Sequence, residues 1–234
     1  MTAWSVGVVV PAHDEEDRIK GCLDALHTAV GRVQGGVDRV DVVVIADRCH
    51  DATAPIASDR LQGWGEVVAV DAGSAGAARG LGVRRILRRH QGPLDRLWLA
   101  STDADTVVPP SWLQRQLAFA DQGVAGVAGI VTVDSFADHP PHVSRRWKSM
   151  YDGPADAPHP HVHGANLGLR ADAHLAVGGW SVLEHGEDQQ IWAALRDAGY
   201  QVASPRSIVV TTSGRARSRV RGGFADVLNV LAAS

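Results

Sequence analysis

Two cysteines, Cys22 and Cys49, are all that the 234 residues contain. That is too few for a disulfide framework or a zinc site built of thiolates, and it fits a reducing compartment, the cytoplasm. Lysine is as scarce: Lys20 and Lys148 are the only two, the remaining basic residues are arginines, and the formal net charge is -3. So small a charge excludes a surface that holds nucleic acid by bulk positive potential. No apolar run approaches the roughly 20 residues that cross a bilayer. The apolar stretch at 6–10 has no basic segment before it and no small-residue cleavage site after it, so it is expected to be a first strand rather than a leader. What is present is the composition of a folded protein, 45% hydrophobic and 21% charged, in a length that suits one domain with a full core, residues 1–234.

Valine- and isoleucine-rich runs recur at 6–10, 40–45, 67–70 and 97–100, with helical periodicity between them. Between the first two, Ile19, Cys22, Leu23, Leu26 and Val30 share one helical face, and Asp14, Glu15 and Glu16 stand where a helix N-terminus favours negative charge. In the third connection Arg84, Arg85, Arg88 and Arg89 are expected on a solvent face. Strands separated by helical crossovers predict an α/β fold, a mainly parallel central sheet flanked by helices, in which ligands bind beyond the carboxyl ends of the strands. Four clusters lie there, at 11–15, 47–51, 73–79 and 103–105, and all should face one crevice. The second half reads as a helix at 112–120, a strand at 126–133, a loop-rich stretch at 134–163, a strand at 164–170, a helix at 187–198 and a strand at 207–212. No linker separates 1–108 from 109–234.

Chemistry concentrates at those strand ends. Asp103-Ala104-Asp105 is a D-x-D pair at a strand exit, able to direct two carboxylates at one hard cation that bridges phosphate oxygens. In isolation it reads more readily as a polar turn capping the next helix, as do Asp14, Asp51 and Thr53. The glycine-rich turn at 73–80 is weak alone, and the dehydrogenase fingerprint would stand after the first strand instead. His159, His161 and His163 alternate beside Pro158 and Pro160, a spacing that predicts an exposed loop rather than a zinc site.

In their order along the chain, these segments resemble the family 2 glycosyltransferases of the GT-A fold. The first strand ends in Pro11-Ala12-His13-Asp14-Glu15-Glu16, with Asp14 where that family usually has Asn. Ala46-Asp47-Arg48-Cys49-His50-Asp51 matches the second-strand segment, with Ala46 and Arg48 as departures, and Asp47 falls on the position that hydrogen-bonds the base. Gly73-Ser74-Ala75-Gly76-Ala77-Ala78-Arg79-Gly80 matches the segment whose arginine lies near the diphosphate. Gly164-Ala165-Asn166 and Gly178-Gly179-Trp180 resemble the acceptor side, and Glu187-Asp188 the Glu-Asp pair.

The resemblance implies a single GT-A (Rossmann-like) domain, with a nucleotide-sugar-binding half at 1–108 and an acceptor-side half at 109–234. Its donor would be a UDP-, GDP- or dTDP-sugar, its cofactor Mg2+ or Mn2+, and its acceptor a small or carrier-bound molecule. Pro11, Ala12, Asp14, Glu15, Asp47, Gly76, Arg79, Asp103, Ala104 and Asp105 are the implied donor-site residues. Asp105 would be the direct metal ligand and Asp103 a ribose or outer-sphere partner. Gly164, Ala165, Asn166 and Trp180 would face the acceptor, and Arg215 and Arg217 the diphosphate. Asp188, or alternatively Glu187, would be the general base, with inversion at the anomeric carbon. A sugar-nucleotide nucleotidyltransferase would carry a glycine-rich basic signature after the first strand, which is absent here. A catalytically inactive binding relative stays open to assay.

Overall fold

The computed structural model describes residues 3–154, 157–183, 185–216 and 224–233. Its first half alternates strand and helix: β1 (Trp4–Ala12), α1 (Ile19–Val33), β2 (Val37–Asp47), α2 (Thr53–Arg60), β3 (Glu66–Val70), α3 (Ala75–Leu87) and β4 (Leu97–Ser101). The second half holds α4 (Trp112–Ala120), β5 (Gly126–Ala128), β6 (Ile130–Val133), α5 (Pro141–Met150), β7 (Leu167–Arg170), α6 (Ala171–Ala176), α7 (Glu187–Asp197), β8 (Val202–Ala203), β9 (Val209–Thr212) and α8 (Phe224–Ala233).

Seven strands form one sheet in the order β3-β2-β1-β4-β7-β5-β8. The first four run parallel, whereas β7 is antiparallel to both β4 and β5. Alternation along the strands explains the two layers. Val6, Val8 and Val10 of β1 join Val42, Val44 and Trp98 in a core capped by α1, α2 and α4. Val9, Val43, Ile45 and Leu99 point the other way, onto Ala78, Val83 and Ile86 of α3. Each such side chain, withdrawn fully from water, contributes roughly 1.5–3 kcal/mol. The chain leaves β1 toward β2 on one side and meets β4 on the other, and this reversal of strand order opens a crevice at the carboxyl ends.

Three expectations are corrected. The apolar run 126–133 is two strands, because the chain steps between sheets at Gly129, whose amide donates to the Asn166 carbonyl. β5 stays in the main sheet and β6 pairs in parallel with β9 in a second, two-stranded one. The stretch 134–163 contains α5, which starts with Pro141 in its first turn and buries Val143 and Trp147 against Leu228 of α8. Asp14, Glu15 and Glu16 do not begin α1, whose first turn has no acid. Asp14 instead takes a left-handed backbone (φ 51°) and accepts the His50 amide, while Glu16 accepts the Ala52 amide. These acids close the loop between β2 and α2, where backbone donors would otherwise be unpaired.

Candidate active site

The strand-end crevice is a single cleft. Its walls include Pro11, Ala12, His13 and Glu15 after β1, Asp47 and Arg48 after β2, and residues 73–75 with Ala78 and Arg79 at the start of α3. Asp103, Ala104 and Asp105 follow β4, and Gly164, Ala165, Glu187 and Asp188 close the far side. Among the described lining residues six are carboxylates, Glu15, Asp47, Asp103, Asp105, Glu187 and Asp188, against three guanidiniums, Arg48, Arg79 and Arg215. The cleft therefore carries surplus negative charge in the position where the resemblance expects a diphosphate.

Arg79, on the first turns of α3, is 3% exposed and spends every nitrogen on the protein. Its Nε donates to the Ser101 hydroxyl (2.9 Å), one terminal nitrogen donates to Asp103 (2.5 Å), and the other donates to Glu187. The Trp180 ring lies beneath the guanidinium, 5.2 Å from its carbon to the ring centroid. Burial raises the Glu187 carboxyl, and Arg79 opposes that rise. Two glycines make this packing possible. A Cβ on Gly164 would stand 2.4 Å from an Arg79 nitrogen, and one on Gly76 would stand 2.3 Å from the Ser181 carbonyl oxygen. Gly76 thus lets α3 approach the segment that leads into α7, rather than lining the cleft itself.

Asp105 sits deeper. One carboxylate oxygen accepts the Thr212 hydroxyl (3.1 Å) and the other lies 3.3 Å from Arg215. Burial and then the negative charge of Asp103 push its carboxyl up to about 6, with Arg215 pulling the other way. Arg215 also forks onto Glu15 through two bonds of 2.7 and 2.5 Å. Arg217 lies outside the described residues.

Asp188, one residue past Glu187 on α7, accepts the Gly164 amide (2.9 Å) and its neighbour's amide at Gln189 (2.7 Å). Two backbone bonds, one to each oxygen, fix its rotamer, and the residue lines the cleft with acceptor capacity left on both oxygens. The Asp47 carboxylate accepts the amides of Ala72 and Gly73, at 2.7 and 3.0 Å, and so pins the turn that starts α3.

Gly76 and three more of the expected site residues stand back from the cleft. Asp14 faces the β2–α2 loop. Asn166 is fully buried, accepts the Trp112 indole N–H (2.9 Å) and donates to the carbonyls of Ile130 and Ile208 (2.9 and 3.1 Å), clamping the junction of the two sheets. Trp180 supports Arg79 from behind.

The histidine row is also different from an exposed loop. His159 is 4% exposed, and the rings of His159, His161 and His163 stack at 6.2 and 6.3 Å with Tyr151 packed against the middle one at 4.6 Å. Period-two spacing in an extended segment puts all three on one side, which is a signal the spacing carried. His163 reaches the cleft, shares a 2.7 Å hydrogen bond with the Tyr151 hydroxyl, and is pulled down to about 4 by burial, against the Asp188 charge. His185, Ala225 and Val227 also line the cleft and were not anticipated. No motif marks them.

Among the described residues, one group of three ligand atoms lies close enough to hold a metal ion, Asp14, Cys49 and Asp51, within 4.8 Å of one another. Its carboxylates are already committed to loop amides: Asp14 to His50, Asp51 to Glu16 and Thr53. The Asp103 and Asp105 pair lines the cleft, where a cation would meet phosphate, and both burial and the Asp103 charge oppose ionisation of Asp105.

A mainly parallel seven-stranded sheet flanked by helices, with a reversal of strand order, is the architecture the chain shares with GT-A glycosyltransferases. The chain belongs to glycosyl transferase family 2, whose family model matches residues 7–178. Among solved structures it is similar to residues 1–349 of TarS from S. aureus in complex with UDP-GlcNAc, with a TM-score of 0.67 and 15% identity, over 94% of this chain and 61% of that one. It is similar also to the mannosyltransferase PcManGT from Pyrobaculum calidifontis in complex with GDP-Man and Mn2+, with a TM-score of 0.65 and 20% identity, over 91% of this chain and 58% of that one. The chain thus spans about three fifths of the length of these structures. No curated protein sequence matches it. Among the described residues no helix is long and apolar enough to cross a membrane.

Proposed function

We propose that the protein is a metal-assisted glycosyltransferase that moves a sugar from a UDP-, GDP- or dTDP-sugar to the hydroxyl of a small or carrier-bound acceptor, with inversion, in the cytoplasm. The observation that carries this reading is Arg79, which ties Asp103 of the D-x-D pair and Glu187 of the Glu-Asp pair to one guanidinium and so sets a donor wall and an acceptor wall across one cleft. The two complexed structures, one with UDP-GlcNAc and one with GDP-Man and Mn2+, support a donor of that class. We read the chain as one domain with its donor half at 1–108 and its acceptor half at 109–234.

The roles follow from which carboxylates are spent. Glu187 is committed to Arg79, whereas Asp188 lines the cleft with acceptor capacity left on its oxygens, so Asp188 is the general base that takes the acceptor proton. Asp103 is held by Arg79 and orients toward the ribose side, which leaves Asp105 as the direct cation ligand. Mg2+ or Mn2+ bound there would offset the surplus negative charge of the cleft and of the departing diphosphate. Pro11, Ala12, Glu15, Asp47 and residues 73–75 shape the nucleotide wall, with Asp47 fixing the 72–73 turn beside the base. Gly164 and Ala165 floor the acceptor side.

The test is a screen of nucleotide sugars for thermal stabilisation of the protein and for Mn2+-dependent hydrolysis. One or more donors should raise the melting temperature and be consumed. A panel in which none does either would overturn the assignment. In the same assay Asp105→Ala should lose the metal-dependent part of donor binding, and unchanged affinity would remove Asp105 from the metal site.

A further inference from the structure

Arg215 stands where a cation would stand. It comes 200 residues after Glu15, yet its guanidinium forks onto the Glu15 carboxylate at 2.5 and 2.7 Å while one nitrogen lies 3.3 Å from Asp105. The two contacts are unequal. Glu15 is 5% exposed, and its own backbone amide is held by the Thr53 hydroxyl at 2.6 Å, so the fork is anchored in the fold. The Asp105 contact is longer and single, and the second Asp105 oxygen is already taken by Thr212. Five N–H donors on a planar guanidinium leave some unused after two bonds to Glu15 and one approach to Asp105. Arg215 lines the cleft, so those donors are within the volume a diphosphate would fill.

We propose that Arg215 is the resident counter-cation of Asp105, and that donor binding exchanges this contact. Glu15 keeps hold of the guanidinium. Asp105 passes to the divalent cation, and Arg215 turns its remaining donors to the diphosphate oxygens. The inference rests on the donor-site reading above and adds a consequence to it: free cation is repelled by Arg215 until a nucleotide diphosphate draws that charge away. Cation and nucleotide then bind as a coupled pair, and each raises the affinity of the other by the same factor.

The experiment counts free Mn2+ by electron paramagnetic resonance, with and without UDP or GDP, for the wild type, Arg215→Ala and Arg215→Gln. Without nucleotide, both variants should bind Mn2+ about tenfold more tightly than the wild type, since the positive charge beside Asp105 is removed. With nucleotide, the wild type should gain about tenfold or more in Mn2+ affinity and the variants about threefold or less. Arg215→Gln keeps a hydrogen bond to Glu15 without charge and guards against a folding defect in the alanine variant. Equal Mn2+ affinity of wild type and variants without nucleotide, or an equal gain with it, sinks the exchange and leaves the glycosyltransferase reading untouched. A wild type that takes up no Mn2+ even with either nucleotide removes the metal reading and the exchange together.

Discussion

The guanidinium of Arg79 is bonded to the carboxylate of Glu187, 108 residues further along the chain, with both side chains nearly out of contact with water. A buried ion pair of this kind adds little net stability when intact, because desolvating two charges offsets their attraction. Breaking it is another matter.

Arg79→Ala leaves Glu187 buried without its partner and Asp103 without its clamp. Chemical denaturation should show a loss of about 3–5 kcal/mol. Arg79→Lys should recover only part of it, since one ammonium cannot reach Ser101, Asp103 and Glu187 in the planar geometry of the fork. Stability equal to wild type in Arg79→Ala would contradict the pairing.

The adjacent acids on α7 should separate by phenotype. Asp188→Asn is expected to fold and to bind donor as the wild type does, with turnover lower by about 10²- to 10⁴-fold. Glu187→Gln is expected to appear first as lost stability, because it weakens the Arg79 pair. The measurement is kcat against donor affinity beside a melting curve, and a reversed pattern would transfer the base to Glu187.

His174 of α6 is 3% exposed, neither ring nitrogen has a hydrogen-bond partner among the described residues, and burial pulls it down to about 4. The folded protein thus resists protonating a group that the unfolded chain protonates near 6.5. Stability contributed by the neutral ring is present above about 6.5 and is lost as pH falls toward 4, up to roughly 3 kcal/mol. Urea titrations at pH 7 and pH 4.5 should show this drop in the wild type, and His174→Phe should show it reduced by that amount. An identical pH slope in the two proteins would refute it.

Asn166→Ala removes three hydrogen bonds at once and strands the Trp112 indole N–H at the sheet junction, while the Ile208 carbonyl keeps the Ile130 amide. With the stranded donor costing about 1–3 kcal/mol and two further bonds lost, the variant should lose about 2 kcal/mol or more in denaturation. A well-folded Asn166→Ala of wild-type stability would return this residue to the acceptor side.

Much of this site was legible because strand ends are a positional rule. Four clusters scattered over residues 11 to 105 were placed on one crevice by the period of the apolar runs alone, and Glu15, Asp47, Arg79 and Asp105 do line one cleft. What stayed hidden depends on partners far along the chain. The run at 126–133 shows no polar break, and only the Asn166 carbonyl that receives Gly129 divides it. α5 was masked by its own prolines, although Pro at a first helical turn with Val143 and Trp147 four apart is a helix signal. The burial of His159 needs the Tyr151 ring beside it, and residue type cannot reveal that Asp14 turns to a loop amide. Arg215 was expected at a diphosphate, but its fork onto Glu15 joins residues that no local pattern connects.

Arg215, Ala225 and Val227 all follow β9 in the chain, yet they wall a cleft whose floor is laid by β1 and β4. During synthesis every strand of both sheets emerges from the ribosome before those residues do. The fork that joins Arg215 to Glu15 therefore spans 200 residues, and the cleft becomes whole only when a residue made after the last strand meets one made just after the first.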